Sequence, residues 1–378
     1  YSFVVPIFGG RRWTAFSTAT LLIPLIGLGF AVQDPSTPLW QMQMWALLCG
    51  FGSANFSSSM SNISFFFPKS EKGTALGINA GLGNLGVSVV QFVVPVVVTM
   101  GMFALGADAQ VYTKGAEVKN VWVQNAAFFW VPFVAFFAIS AWFGMNDIAS
   151  AKASFKEQSV IFKHRDTWLM CILYLGTFGS FIGFAAGFGL LMKSQFPQVN
   201  ATQYVFLGAL IGAISRVIGG KVSDQLGAAR VTTFVFIGMI VAVMGVINFL
   251  PVKGVDGSGS FRGFFVCFIA LFALTGVGNA STFAQVPKIF FAVAKQVLGS
   301  KATPAQLELN SNKEAAAVLG FSAAIGAYGG FFVPKSYGMS ISATGGVKAA
   351  LVAFIVYYVL CLVINWWFYS RKGAPTPC

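Results

Sequence analysis

Residues Phe206–Arg230 read FLGALIGAISRVIGGKVSDQLGAAR, an apolar run that holds one arginine, Arg216, and closes on a glycine-rich basic turn. Burying an arginine at mid-membrane costs about 2.5–3.5 kcal/mol on insertion scales. A helix carries that cost when the guanidinium faces a cavity or a partner, so Arg216 predicts an anion pathway. The competing reading has Arg216 snorkelling toward the turn. Asp224 lies eight residues on, about 12 Å along a helix, which is beyond easy reach of the side chain.

Composition sets the solvent for the rest of the chain. Of 378 residues, 56% are hydrophobic and only 9% charged, with a mean hydropathy of +0.75. That excludes a soluble domain. Apolar runs near twenty residues recur, the length an α-helix needs to cross about 30 Å of hydrocarbon. The alternating ten-residue segments of a β-barrel do not occur, so the expectation is an all-α membrane protein. The net charge of +13 is spread singly and in pairs between apolar runs, which fits membrane topology and an anionic cargo and not nucleic acid. Cys49, Cys171, Cys267, Cys361 and Cys378 show no metal-type or disulfide spacing and read as apolar filler.

The chain opens at Tyr1 inside YSFVVPIF, a run too short to span that ends at the basic turn Gly9-Gly10-Arg11-Arg12. This predicts a chain cut within a membrane helix, with at least one helix before it. Ten full spans follow, at about 13–32, 40–66, 73–102, 122–144, 167–194, 203–220, 231–250, 263–287, 314–334 and 346–369. With the GGRR side taken as inside, the inner loops and ends hold sixteen Lys and Arg and the outer ones seven. The bias places the C-terminus in the cytoplasm of an integral inner-membrane protein. The stretches 106–120 and 295–313 read as polar loops without functional signal.

Three patterns recur in order along the chain. GGRR is answered 210 residues later by the turn from Gly219 to Arg230. Asn62-Ile63-Ser64, running to Pro68-Lys69, is answered by Asn279-Ala280-Ser281, running to Pro287-Lys288. The glycine ladder Gly77, Gly81, Gly83, Gly86 is answered by Gly320, Gly326, Gly329, Gly330. Repeats in the same order describe two parallel, pseudo-symmetric six-helix bundles: 1–145, a central cytoplasmic linker 146–166, and 167–378. Glycines at such spacing let helices approach closely. One ladder would mean static packing; two in symmetric positions favour a gating interface. Asn84 and Gln91 are the polar members of the first ladder, as bridges between helices or as cargo ligands.

Tyr174 and Phe178, four residues apart, share a helical face. Beside an arginine, an aromatic wall excludes water and clamps a flat anion, and a tyrosine hydroxyl can donate to it. Phe56, in the small-residue stretch GSANFSSSM, is the candidate opposing wall. Every acid falls in a loop or at the end of an expected span, and the one histidine, His164, lies in the central loop. A proton-driven symporter usually has a titratable group on its pathway, so the pattern favours anion exchange. Hydrolysis or redox chemistry has no candidate acid, base or metal cluster, and no enzyme activity, metal or cofactor is expected.

GINAGLGNLGVSVVQ (77–91) and GFSAAIGAYGGFF (320–332), with VPIFGGRRWT, NISFFFPK and LGTFGSFIGF, resemble the nitrate/nitrite porters of the major facilitator superfamily, the NarK-type group. The resemblance covers essentially the whole chain. It implies a twelve-helix transporter that moves nitrate and nitrite by alternating access, the anion held between two arginines. The second-half arginine matches Arg216, and the first-half one would fall just upstream of Tyr1. Neighbouring site positions match Phe56, Asn84, Tyr174 and Phe178. The expected activity is nitrate/nitrite antiport by a monomer in the lipid bilayer; the alternatives are proton-coupled nitrate symport, or transport of another small monovalent anion such as formate or chloride.

Overall fold

The computed structural model describes residues 1, 3–67, 69–101, 108–114, 117–148, 153–252, 258–299 and 303–378, without the side chains of 53, 64–65 and 69–74. Nine helical stretches among them are long and apolar enough to cross a membrane: 10–31, 75–97, 125–144, 165–195, 201–226, 228–249, 261–298, 304–344 and 348–370. Each overlaps an expected span. The tenth expected span, 40–66, is helical in three pieces, Leu39–Leu48, Gly50–Ser53 and Asn55–Phe66. The breaks fall at Cys49 and Ala54, on either side of a piece that contains Gly50 and Gly52, and glycine's backbone freedom weakens a helix.

The chain divides into two compact units. The first comprises Tyr1, Phe3–Ser59 and Val89–Ala153. Within it Gly9 turns the chain at φ +91°, and Asp147 collects the basic turn that follows. Its Oδ1 accepts from the Arg11 backbone N–H at 2.8 Å, and its Oδ2 lies 3.6 Å and 3.8 Å from the Nε atoms of Arg11 and Arg12. This unit also holds two strands, Gln110–Lys114 and Glu117–Val121, paired antiparallel with Gln110 opposite Val121. The segment read as a loop therefore pairs: Val111, Tyr112, Val118 and Val121 supply β-branched and aromatic residues, and a two-stranded ladder satisfies the backbone.

The second unit, Met60–Ser88 and Ser154–Cys378, carries the larger core. The central linker contributes a short helix, Phe155–Gln158, with a reciprocal capping box between Ser154 and Glu157. The Ser154 backbone N–H donates to the Glu157 carboxylate at 2.6 Å, and this bond holds that carboxyl below its ordinary range. Phe181, Phe184, Phe188, Phe264, Phe268 and Phe272 are each fully buried, with Phe188 stacked on Phe268 at 4.6 Å. The helix Phe261–Leu298 has 38 residues, about 57 Å at 1.5 Å per residue, so it runs well past the hydrocarbon. The next helix, Pro304–Ala327, starts at a Thr303–Gln306 capping box. Helix thus replaces most of the loop expected over 295–313.

The helices Val205–Leu226 and Phe261–Leu298 lie backbone to backbone. A Cβ on Gly276 would strike the Gly212 carbonyl, and one on Gly219 would lie 2.7 Å from Val277 Cα. Small residues thus fix the arginine-bearing helix against its neighbour at close range.

Candidate functional site

Arg216 is 1% exposed and does not snorkel. Its Nη2 donates to the Tyr174 hydroxyl at 2.9 Å. The guanidinium carbon stands 5.7 Å from the Phe178 ring centre and 5.5 Å from that of Phe283, within the range where a ring face attracts a cation. The rings brace one another: Tyr174 stacks on Phe178 at 5.0 Å and on Phe283 at 4.1 Å. The expected shared face of Tyr174 and Phe178 is present, and Tyr174 accepts from Arg216, leaving its own O–H to donate elsewhere.

Local backbone explains the placement. Between the helices Arg165–Tyr174 and Ser180–Gln195 the chain makes a π turn, Leu175–Gly179. Such turns recur at functional sites in helices. Gly179 and Gly183 then pack against the second ladder: a Cβ on Gly329 would strike the Gly179 backbone, and one on Gly183 would lie 2.5 Å from the Gly329 carbonyl. Gly326 backs the aromatic wall itself, since a Cβ there would lie 2.9 Å from Tyr174 and 3.0 Å from Phe178. Gly330 faces Ile182, and Gly320 is buried within its helix.

The first ladder lies along the arginine helix. A Cβ on Gly81 would meet Val217 at 2.6 Å, and the Ser88 hydroxyl donates to the Phe206 carbonyl at 3.0 Å. The two contacts run antiparallel, and Asn84 falls between them on the same face. It is 3% exposed, and its Nδ2 has no hydrogen-bond partner among the described residues. Gly83 and Gly86 face open space. Phe56, half-buried, belongs to the first unit.

A cavity of about 470 Å³ opens beside Arg216. Its wall includes Met60, Gly77, Arg216, Gly220, Ala280 and Phe283, and also the polar residues Asp224, Lys288, Ser311 and Asn312. Asp224, expected at a span end, thus shares a cavity with Arg216. Phe283 is the site residue that sequence reading passed over. It is one phenylalanine among 41, and only its place in the repeat beginning at Asn279 set its neighbourhood apart. The enclosed cation, its flat aromatic neighbours and an adjoining space of several water volumes together suit a small, flat anion.

Residues 2–334 match the sequence profile described as Major Facilitator Superfamily. The chain belongs to that superfamily. Within it, the nitrate/nitrite transporter NarU of Escherichia coli (strain K12) is 48% identical over 374 residues, covering 98% of this chain and 80% of the relative. The probable nitrate/nitrite antiporter NarK2 of Thermus thermophilus is 40% identical over 384 residues, covering 100% and 81%. Among solved structures, the E. coli fucose:proton symporter FucP aligns with a TM-score of 0.61 at 11% identity, over 96% of this chain and 85% of that one. The human organic anion transporter MFSD10 aligns at 0.61 and 12%, over 96% and 79%. At such identities the structural likeness establishes the fold alone. Helices, profile and relatives together make this an integral membrane protein of major facilitator architecture.

Proposed function

We propose that this protein carries nitrate and nitrite across a bacterial inner membrane by alternating access, exchanging one anion for the other as a monomer with its C-terminus in the cytoplasm. The observation that carries the reading is buried Arg216 on the wall of a cavity of about 470 Å³, its guanidinium faced by two aromatic rings and bonded to the Tyr174 hydroxyl. A planar fork of N–H donors matches two oxygens of a planar anion. Phe178 and Phe283 shield that pairing from water, and Tyr174 and Asn84 contact its edge. The names borne by NarU and NarK2 support the choice of anion.

In this reading the halves 1–145 and 167–378, joined by 146–166, alternate between two open states. Without an anion the buried positive charge resists the crossover between open states, and bound anion relieves it, which yields obligatory exchange. Proton-coupled symport is the second reading, and Asp224 favours it by placing a carboxylate on the cavity wall.

Arg216→Lys is the direct test, since an ammonium cannot reproduce the fork. Reconstituted in proteoliposomes, the variant should lose nearly all nitrate and nitrite uptake; ordinary uptake refutes the assigned role. Competition by formate and chloride against labelled nitrite separates this cargo from other small anions.

A further inference from the structure

Asn279 is fully buried, and neither its Nδ2 nor its Oδ1 has a hydrogen-bond partner among the described residues. Buried amides are nearly always paired, and an unpaired one calls for a water or a ligand to complete it. Its place on the helix Phe261–Leu298 locates the group that does so. Gly276, three residues before, abuts Gly212 and Ser215, the neighbour of Arg216. Phe283, four residues after, stands 5.5 Å from the guanidinium carbon. Residues at these spacings share one helical face. Asn279 therefore faces the arginine helix between the Ser215 contact and the Arg216 contact.

On its other flank, a Cβ on Gly278 would lie 2.7 Å from the Thr177 side chain, and Thr282 Oγ1 lies 3.3 Å from Thr177 Oγ1. Thr177 belongs to the π turn between Tyr174 and Phe178. Asn279 thus sits where the three segments carrying Arg216, Phe283 and the Tyr174–Phe178 pair converge, and its neighbour Ala280 lines the cavity. It also heads the Asn279-Ala280-Ser281 repeat, to which the binding scheme above assigns no part.

We propose that Asn279 is a specificity-determining residue of the anion site, its Nδ2–H donating to the oxygen that the Arg216 fork leaves over. The inference rests on the transport reading. A fork that takes two oxygens of nitrate leaves a third pointing away from the guanidinium. Nitrite held in the same way presents only a nitrogen lone pair there, set further back. A neutral donor at that position favours nitrate, whose third oxygen can accept from it. Sites built to bond one group reject analogues lacking it, because the donor then stays unpaired.

The test is Asn279→Leu, which keeps the branched shape and removes the amide, studied in the purified full chain. In counterflow, the KM for nitrate should rise about tenfold, the scale of one lost hydrogen bond to an ion, and that for nitrite should change little. The melting temperature without anion should hold or rise, and the upward shift produced by added nitrate should shrink. An unchanged ratio of nitrate to nitrite KM, with a full nitrate-induced shift, overturns the role. If Asn279→Leu does not fold, Asn279→Ser, which keeps a shorter donor, should still lower nitrate preference; an unchanged ratio there overturns it equally. Absence of exchange of either anion by the wild type overturns the transport reading itself, before any variant is compared.

Discussion

At the scale of single residues, Tyr174 and Arg216 form a unit that neither could make alone. The tyrosine hydroxyl accepts from Nη2 at 2.9 Å, which orients the fork before an anion arrives. Tyr174→Phe keeps the stacking on Phe178 and Phe283 and removes the acceptor. Initial rates of uptake should show KM rising about tenfold for both anions, as expected for a lost bond to a charged group, with maximal rate less affected. Arg216 was legible in sequence because a lone charge in an apolar run needs an explanation, and Tyr174 with Phe178 because four-residue spacing fixes a shared face. Phe283 was not, because it joins them only through the packing of one helix on two others. Nothing local marks a ring that reaches its partner across such a junction.

At the scale of elements, the glycine ladders divide into close contacts and open positions. Gly329 meets the Gly179 backbone, whereas Gly86 faces open space. Backbone cannot yield to an added methyl as a side-chain tip can. Gly329→Ala should therefore lower the melting temperature and the yield of monodisperse protein on size-exclusion chromatography, and Gly86→Ala should match the wild type in both. The ladders were visible in sequence, but which rungs touch was not, since spacing alone gives the face and not the neighbour. The same limit applies to 110–121, where two strands pair within a segment that composition marks only as polar.

At the scale of the whole molecule, the fold and nine of the ten expected spans were legible from hydropathy and repeats, because a bilayer forces backbone groups into helices of a set length. Coupling is decided at this scale as well. Acids cluster at span ends in sequence, yet Asp224 shares the cavity with Arg216. Exchange makes a clear demand: nitrite efflux against external nitrate should proceed at the same rate with and without a proton ionophore, and uptake into anion-free vesicles should be negligible. Acceleration by an inward proton gradient would assign the carboxylate a role and establish symport.

The five residues Leu175–Gly179 close their bonds one residue further along than their α-helical neighbours. Winding this surplus into an ordinary coil would swing everything on one side of the turn by about 100° against the other, and advance it by about 1.5 Å. Tyr174 would then lose its bearing on the guanidinium while Gly183 kept its seat, or the reverse. The same five residues thus let one rod hold two fixed orientations at once, one for its packing and one for its charge.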